Sequence, residues 1–408
     1  MTLPLRHTFR TLARTPAFTI TAIAALALGI GANTAIFSLV NQVLLNPPGM
    51  SHPERVIAER VNYDKLNLKS IGVSVPDFED MHRSRQVFEH AALMSNMDFN
   101  YTGAGAPQRL QGATVSVEWF DVFGAKPRLG RAFTRAEDRP EANNVVVLAW
   151  STWVRLFGRD PGVLNRVIEL NQKPYRIIGV MGPDFRWPKE AEVWAPLGLA
   201  NSEYDEGNRF NESYNAVARL KPGVSFAQAN ALIHVLAARE RSGNNQAAAY
   251  ARDSAWGMFA VRMTDFVAGD TKQPMLILLG AVGFVLLIAC SNIAGLMIAR
   301  ASGRGREIAV RAALGAGRWQ LLRGTVQESF VLAIVGAIAG LAVAWGGMRL
   351  LLLIAPEAAV NGLEPRLDGL VLLFTGILAI ICGLLFGIAP AWQIARTDRH
   401  ENLRGGGR

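Results

Sequence analysis

No charge occurs from Gln273 to Ala299, and none from Ser329 to Met348. A helix rises ~1.5 Å per residue, so the first run alone is about 40 Å long, enough to cross a hydrocarbon layer of about 30 Å. Between the runs lie six arginines (Arg300, Arg304, Arg306, Arg311, Arg318 and Arg323) against Glu307 and Glu328. Two spanning helices joined by so basic a segment read as a hairpin whose loop faces the cytoplasm.

Two further apolar runs complete the membrane part. Ala17 to Val40 follows a basic start (Arg6, Arg10, Arg14, no acid) and opens at Pro16. It exceeds the usual 7–15-residue core of a signal peptide, which reads it as an anchor that is not cleaved. The fourth run is Gly369 to Ala395. The expected organisation is a cytoplasmic N-terminus (1–16), helix one (17–44), a large inserted domain (45–272), helix two (273–299), a cytoplasmic loop (300–326), helix three (327–355), an outer loop (356–368), helix four (369–395) and a cytoplasmic tail (396–408). Lysine and arginine counting gives every segment this orientation. The fold class expected is therefore four transmembrane helices with a large α/β extracytoplasmic domain between helices one and two.

The charge distribution agrees. Residues 45–273 hold 27 Lys+Arg and 26 Asp+Glu, so nearly all of the net charge of +9 sits beside the membrane segments. A nucleic-acid-binding protein would place that excess on a folded face, and no nucleic-acid partner is expected. Membrane lipid is.

Within the inserted domain, strands are expected at Arg55–Val61, Asn144–Ala149 and Asn215–Leu220, with a hairpin of Val167–Leu170 and Tyr175–Val180. Helices are expected at Pro76–Glu89, near Val115–Phe123, after a Ser151 cap, and at Phe226–Arg239 capped by Ser225. The small, polar stretch Arg241–Asp253 reads as a mobile loop. Chemistry is sparse. His52, His82, His90 and His234 lack metal-ligand spacing, and His82 and His90 read as surface residues. Asp77, Glu79 and Asp80, at a helix start, read as a solvated face rather than a catalytic pair. Trp119, Trp150, Trp153, Trp187 and Trp194 read as core residues. No metal, cofactor or catalytic residue is expected, and this is not read as an enzyme. No lysine follows a glycine, so the sequence contains no Walker A phosphate loop. Cys290 and Cys382 lie inside apolar runs and imply no disulfide.

Two groups of residues remain as candidate functional positions. Gly29 and Gly31, and the G-x-x-x-G pairs Gly336/Gly340 and Gly383/Gly387, let helix backbones approach, within one bundle or across a dimer. In the basic loop, Ile308, Ala309, Ala312 and Ala313 fall on one side of a short helix that carries Glu307 and Arg311 at i, i+4 and ends near Gly315 and Gly317. That amphipathic segment either lies on lipid headgroups or docks into a groove of another protein.

Three stretches carry a family resemblance: FRTLARTPAFTITAIAALALGIGANTAIFSLVNQVLL at the start, SNIAGLMIARASGRGREIAVRAALGAGRWQLLRGTVQES in the loop, and FGIAPAWQIARTD near the end. The chain resembles the MacB/FtsX-type ABC transporter permeases over essentially its whole length, and its GIGANTAIF stretch is similar to the acidobacterial duplicated orphan permeases. The resemblance implies a MacB-like periplasmic core domain at 45–272 and a bacterial inner-membrane location. It implies a separate ABC ATPase that binds the ATP and docks at Arg306, Glu307, Ile308, Arg311, Leu314 and Gly315. It also implies a second permease copy or paralogue in a dimer, and a periplasmic adaptor in some members. The expected function is mechanotransmission for export of a peptide, macrolide or lipid-like substrate; the alternatives are an envelope-sensing or regulatory scaffold and, in a different class, a membrane-anchored enzyme. Fifteen residues precede helix one, which places the ATPase on another chain, and the stop near Arg404 fits a half-size permease, a truncated duplicated one or a fragment. The topology has a direct check: a reporter active only outside the cytoplasm is expected to work when fused after Val360 and to be silent when fused after Asp398.

Overall fold

A computed structural model of the chain describes residues 10, 12–47, 49–103, 106–188, 191–303, 318–354 and 367–404. It divides into a membrane unit, Met1–Gln42 with Asp270–Arg408, and an inserted unit, Val43–Gly269.

In chain order, helix α1 (Pro16–Val40) starts on a proline, whose missing N–H costs nothing at a helix N-terminus, and closes through a π-turn at Asn41–Leu45. The inserted unit runs β1 (Val56–Tyr63), β2 (Leu68–Ile71), α2 (Val75–Arg83), β3 (Phe88–Tyr101), β4 (Gln108–Val115), α3 (Trp119–Phe123), β5 (Pro127–Gly130), β6 (Val145–Leu148), α4 (Trp150–Phe157), β7 (Val167–Leu170), β8 (Lys173–Met181), β9 (Val193–Pro196), β10 (Asn215–Leu220), α5 (Phe226–Arg241), α6 (Gln246–Asp253), β11 (Trp256–Arg262) and α7 (Met263–Ala268). Helices α8 (Lys272–Gly303), α9 (Arg318–Ile354) and α10 (Gly369–Arg404) follow. Among the described residues four helices, α1 and α8–α10, are long and apolar enough to cross a membrane.

The strands form one mixed sheet in the order β11-β1-β10-β3-β4-β9-β6-β8-β5, with β2 beside β1 and β7 against β3 and β8. Among the described residues only β4–β9 and β6–β8 run parallel. Alternation along β1 divides the core. Val56 and Ala58 point to one face with Val217 and the aromatic cluster of Trp119, Phe120, Phe123, Phe185 and Trp194. Ile57, Val61 and Tyr63 point to the other, under Phe78 and Met81 of α2 and Ala229, Ile233 and Ala237 of α5. A third core beneath α4 holds Trp153, Phe157, Val146, Leu148 and Ile177. The β7–β8 hairpin turns through Asn171 and Gln172, both at positive φ (50° and 61°), the left-handed pair a two-residue hairpin requires.

Several local expectations are corrected. The helix expected over Pro76–Glu89 ends at Arg83, and β3 begins at Phe88. There the pairing of Phe88–Met94 with β10 buries a residue on both faces, which outweighs helix propensity. Ser151 does not cap α4, whose first residue is Trp150. The Arg241–Asp253 loop contains α6, capped by Asn245, which accepts the Ala248 N–H at 2.8 Å. Its buried stripe is only Ala248 and Ala251, too small to register as apolar periodicity. Trp150 and Trp187 are only partly buried, unlike Trp119, Trp153 and Trp194.

Phe120 touches the rings of Phe133, Phe185 and Trp194 at centroid distances of 5.7, 5.5 and 5.9 Å. Phe120→Ala is expected to cost about 3–5 kcal/mol, measured by thermal or denaturant unfolding of the chain in detergent.

Candidate functional site

All six glycines singled out in the sequence are buried within the membrane unit. A methyl group on Gly31 would lie 2.8 Å from the Gly340 carbonyl oxygen, and one on Gly336 would lie 2.6 Å from Leu26 Cβ, so α1 and α9 cross backbone to backbone. Gly29 receives Leu286 of α8, Gly383 receives Phe330 of α9, and Gly387 receives Val326. The small residues thus serve packing among the four helices of one chain.

Toward its C-terminal end α1 switches to polar chemistry. Asn33, Thr34, Ser38 and Asn41 are all buried, because lipid leaves their hydrogen-bonding groups no partner outside the bundle. The Asn33 amide donates to the carbonyls of Gly29 and Val282, both at 2.9 Å. Thr34 and Thr375 share a hydrogen bond of 3.0 Å, and Phe37 stacks on Phe374. Asn41 donates to Asp368 Oδ2 at 2.6 Å, while Asp368 Oδ1 caps α10 through the Val371 N–H. Helix α1 is therefore tied to both α8 and α10 by polar side chains near its C-terminal end. Cys290 and Cys382 are buried and free, with their sulfurs 3.6 Å apart.

The inserted unit holds a buried charge cluster that sequence reasoning did not find. Asp77 and Asp80 were read as a solvated face, but Asp77 is fully buried. The reason is Arg209, 132 residues later. Its Nη1 donates to Asp77 at 2.9 Å and to Asp80 at 3.0 Å, and Nε and Nη2 grip both oxygens of Glu206 at 2.7 and 2.8 Å. Ser74 completes the Asp77 shell through a reciprocal capping box at the start of α2. Glu59, in the middle of β1, is also fully buried, and neither of its oxygens has a hydrogen-bond partner among the described residues. Burial, with Asp77 and Asp80 nearby, holds the Glu59 carboxyl well above the usual range despite Arg209. Burial also pushes Asp77 up to about 7, against the pull of Ser74 and Arg209.

A second cluster corrects the reading of His82 and His90 as plain surface residues. Both rings approach Glu118, at 3.3 and 3.6 Å, and Arg85 and the Ala91 N–H bond the same carboxylate. Burial would raise Glu118, but these donors hold it well below the usual carboxylate range. Among the described residues no group of three His, Cys, Asp or Glu side chains is placed to hold a metal ion. The loop residues Arg306, Glu307, Ile308, Arg311, Leu314 and Gly315 lie outside the described residues.

Together the two units define a multi-pass membrane protein with a large α/β domain inserted after its first helix. Residues 19–236 match the family described as MacB-like periplasmic core domain, and residues 279–399 match the FtsX-like permease C-terminal family. The chain belongs to the MacB/FtsX-type ABC transporter permeases, as a multi-pass inner-membrane protein with a periplasmic domain. Among its relatives, the macrolide export ATP-binding/permease protein MacB of Escherichia coli K12 is 26% identical over 316 residues, 76% of this chain and 46% of that protein. The MacB of Shigella flexneri matches with the same identity and coverage. The chain spans about half the length of these relatives. The periplasmic region of MacB from Actinobacillus actinomycetemcomitans is 16% identical, with a TM-score of 0.39 over 55% of this chain and 95% of that one.

The raised carboxyls set a pH dependence. Glu59 and Asp77 bind their protons more tightly folded than unfolded, where a carboxyl titrates near ~4. Their contribution to stability is complete below that value and is lost as pH rises, for Asp77 through about 7. Glu118 acts in the opposite sense, but its contribution is complete above about pH 5. The unfolding temperature is therefore expected to fall between about pH 5 and about pH 8, and Glu59→Gln, which cannot ionise, is expected to make that fall shallower.

Proposed function

We propose that this chain is the permease subunit of an ABC-type exporter that carries ATP-driven motion from a cytoplasmic ATPase to its periplasmic domain. The observation that supports it is the seam between α1 and α8. The periplasmic domain is entered through α1 and left through α8, and these two helices pack directly on each other, with Leu286 in the notch at Gly29 and Asn33 bonded to the Val282 carbonyl. A displacement of α8 at its cytoplasmic end is therefore passed to both connections of the domain. The force enters at the basic loop after α8, where Arg306, Glu307, Ile308, Arg311, Leu314 and Gly315 form the docking helix for the ATPase. The nucleotide belongs to that partner. Both termini are cytoplasmic, and two permease copies, or this chain and a paralogue, work as a pair, with a periplasmic adaptor as a further partner.

The relatives named for macrolide export make an amphiphilic export substrate the reading of choice, of the peptide, macrolide or lipid-like class. Since the described membrane bundle is closed by glycine and polar seams, the substrate is handled by the periplasmic domain rather than passed between the four helices. The test is a mild-detergent purification of the tagged chain from its native membrane. An ATPase is expected to co-purify stoichiometrically, and Glu307→Ala with Arg311→Ala is expected to reduce its recovery at least tenfold, about 1.4 kcal/mol, while membrane insertion is unchanged. Recovery equal to the parent protein would move the contact elsewhere.

A further inference from the structure

The chain has two cysteines, and the fold brings them together from positions 92 residues apart. Cys290 lies on α8 and Cys382 on α10. The Sγ atoms are 3.6 Å apart, and the side chains are 4% and 1% exposed. Cys290 stands in the middle of the buried stripe of α8, Leu286-Cys290-Ile293-Met297, and Cys382 in that of α10, between Ala379 and Phe386. That stripe is narrow. Phe284, Val285, Leu287 and Ile288 on the same helix are all exposed on the bundle's outer surface, so α8 is held by few side chains. A thiol pair at this point is placed to decide how firmly α8 is held.

We propose that Cys290 and Cys382 form a reversible dithiol–disulfide pair, closed by a lipid-soluble quinone of the membrane. A disulfide needs its sulfurs ~2.05 Å apart, so from 3.6 Å the pair has about 1.5 Å left to close. The chemistry balances. Both S–H bonds break, one S–S bond forms, and the two protons and two electrons reduce the quinone to its hydroquinone. The class of oxidant follows from where the pair lies. Both cysteines fall within helices apolar enough to cross a membrane, Lys272–Arg300 and Gly369–Gly387. Oxidised glutathione does not enter a bilayer, whereas a quinone dissolves in it; because both thiols are buried between α8 and α10, the quinone gains access when these helices part. The product fastens α8 to α10. Its consequence for transport rests on the function proposed above, but the cross-link itself does not, so the two fail separately.

The experiment treats membrane vesicles holding the full chain with duroquinone, whose fully substituted ring resists addition of thiols. The protein is then denatured in detergent and its free thiols are counted with a maleimide. Most molecules are expected to lose both free thiols, to stay monomeric, to weigh two hydrogens less and to recover both thiols on phosphine reduction. Cys290→Ala and Cys382→Ala are each expected to keep their remaining thiol free after the same treatment, and this readout does not require either variant to transport. Oxidised glutathione in place of the quinone is expected to leave both thiols free. Two free thiols after quinone, a cross-linked dimer, a quinone adduct, loss of the thiol in either single variant, or equal oxidation by glutathione disulfide would each overturn the proposal.

Discussion

Lipid neither donates nor accepts a hydrogen bond, and the membrane unit is arranged around that fact. Its backbone is helical across the described spans, and the polar side chains of α1 turn inward. Asn33, Thr34 and Asn41 then do what water would do elsewhere. Each finds a partner on α8 or α10, and those bonds fix the rotation of α1 about its axis. Packing alone would specify this less well, since lipid tails are as apolar as the leucines they face. The glycine notches supply close approach: Gly29 admits α8 near the Asn33–Val282 bond, and Gly31, Gly336 and Gly340 bring α1 against α9.

The inserted domain answers the opposite problem. Water is available, yet Asp77, Arg209 and Glu59 are withdrawn from it. Arg209 joins the connection between β9 and β10 to α2 through Asp77 and Asp80, and its fork is filled by Glu206. A guanidinium suits this role because its planar donors can serve three carboxylates at once. Burying such a network adds little net stability compared with an apolar core, but removing one member leaves an uncompensated charge. Glu59 shows the same rule from the other side: with no partner for either oxygen among the described residues, burial holds its carboxyl well above the usual range. The cluster sits where α2, α5 and strand β1, next to the β11 edge of the sheet, come together.

The link between these two solutions is the covalent path through α1 and α8. Family membership makes the chain an ABC transporter permease. The seams hold α1, α8, α9 and α10 together through glycine notches and side-chain hydrogen bonds. The π-turn at Asn41–Leu45 ends α1 beside the Asn41–Asp368 bond, at the boundary where the chain leaves the membrane unit.

Length and charge alone determined the four spanning helices and the inserted domain, because a charge-free run of membrane length has few other physical outcomes. The glycine spacings were visible too, though not their partners. The strands beyond the obvious alternations were not visible. Residues Phe88–Met94 carry no strict period of two, since β3 is buried on both faces, and their state was decided by pairing with β10. Nor could the sequence reveal that Asp77 would meet Arg209, or Cys290 meet Cys382. Those contacts join residues separated by 132 and 92 positions. Local sequence governs which surfaces are apolar and which groups need partners; which partner each group finds is a property of the packed chain, decided only when the helices and strands close on one another.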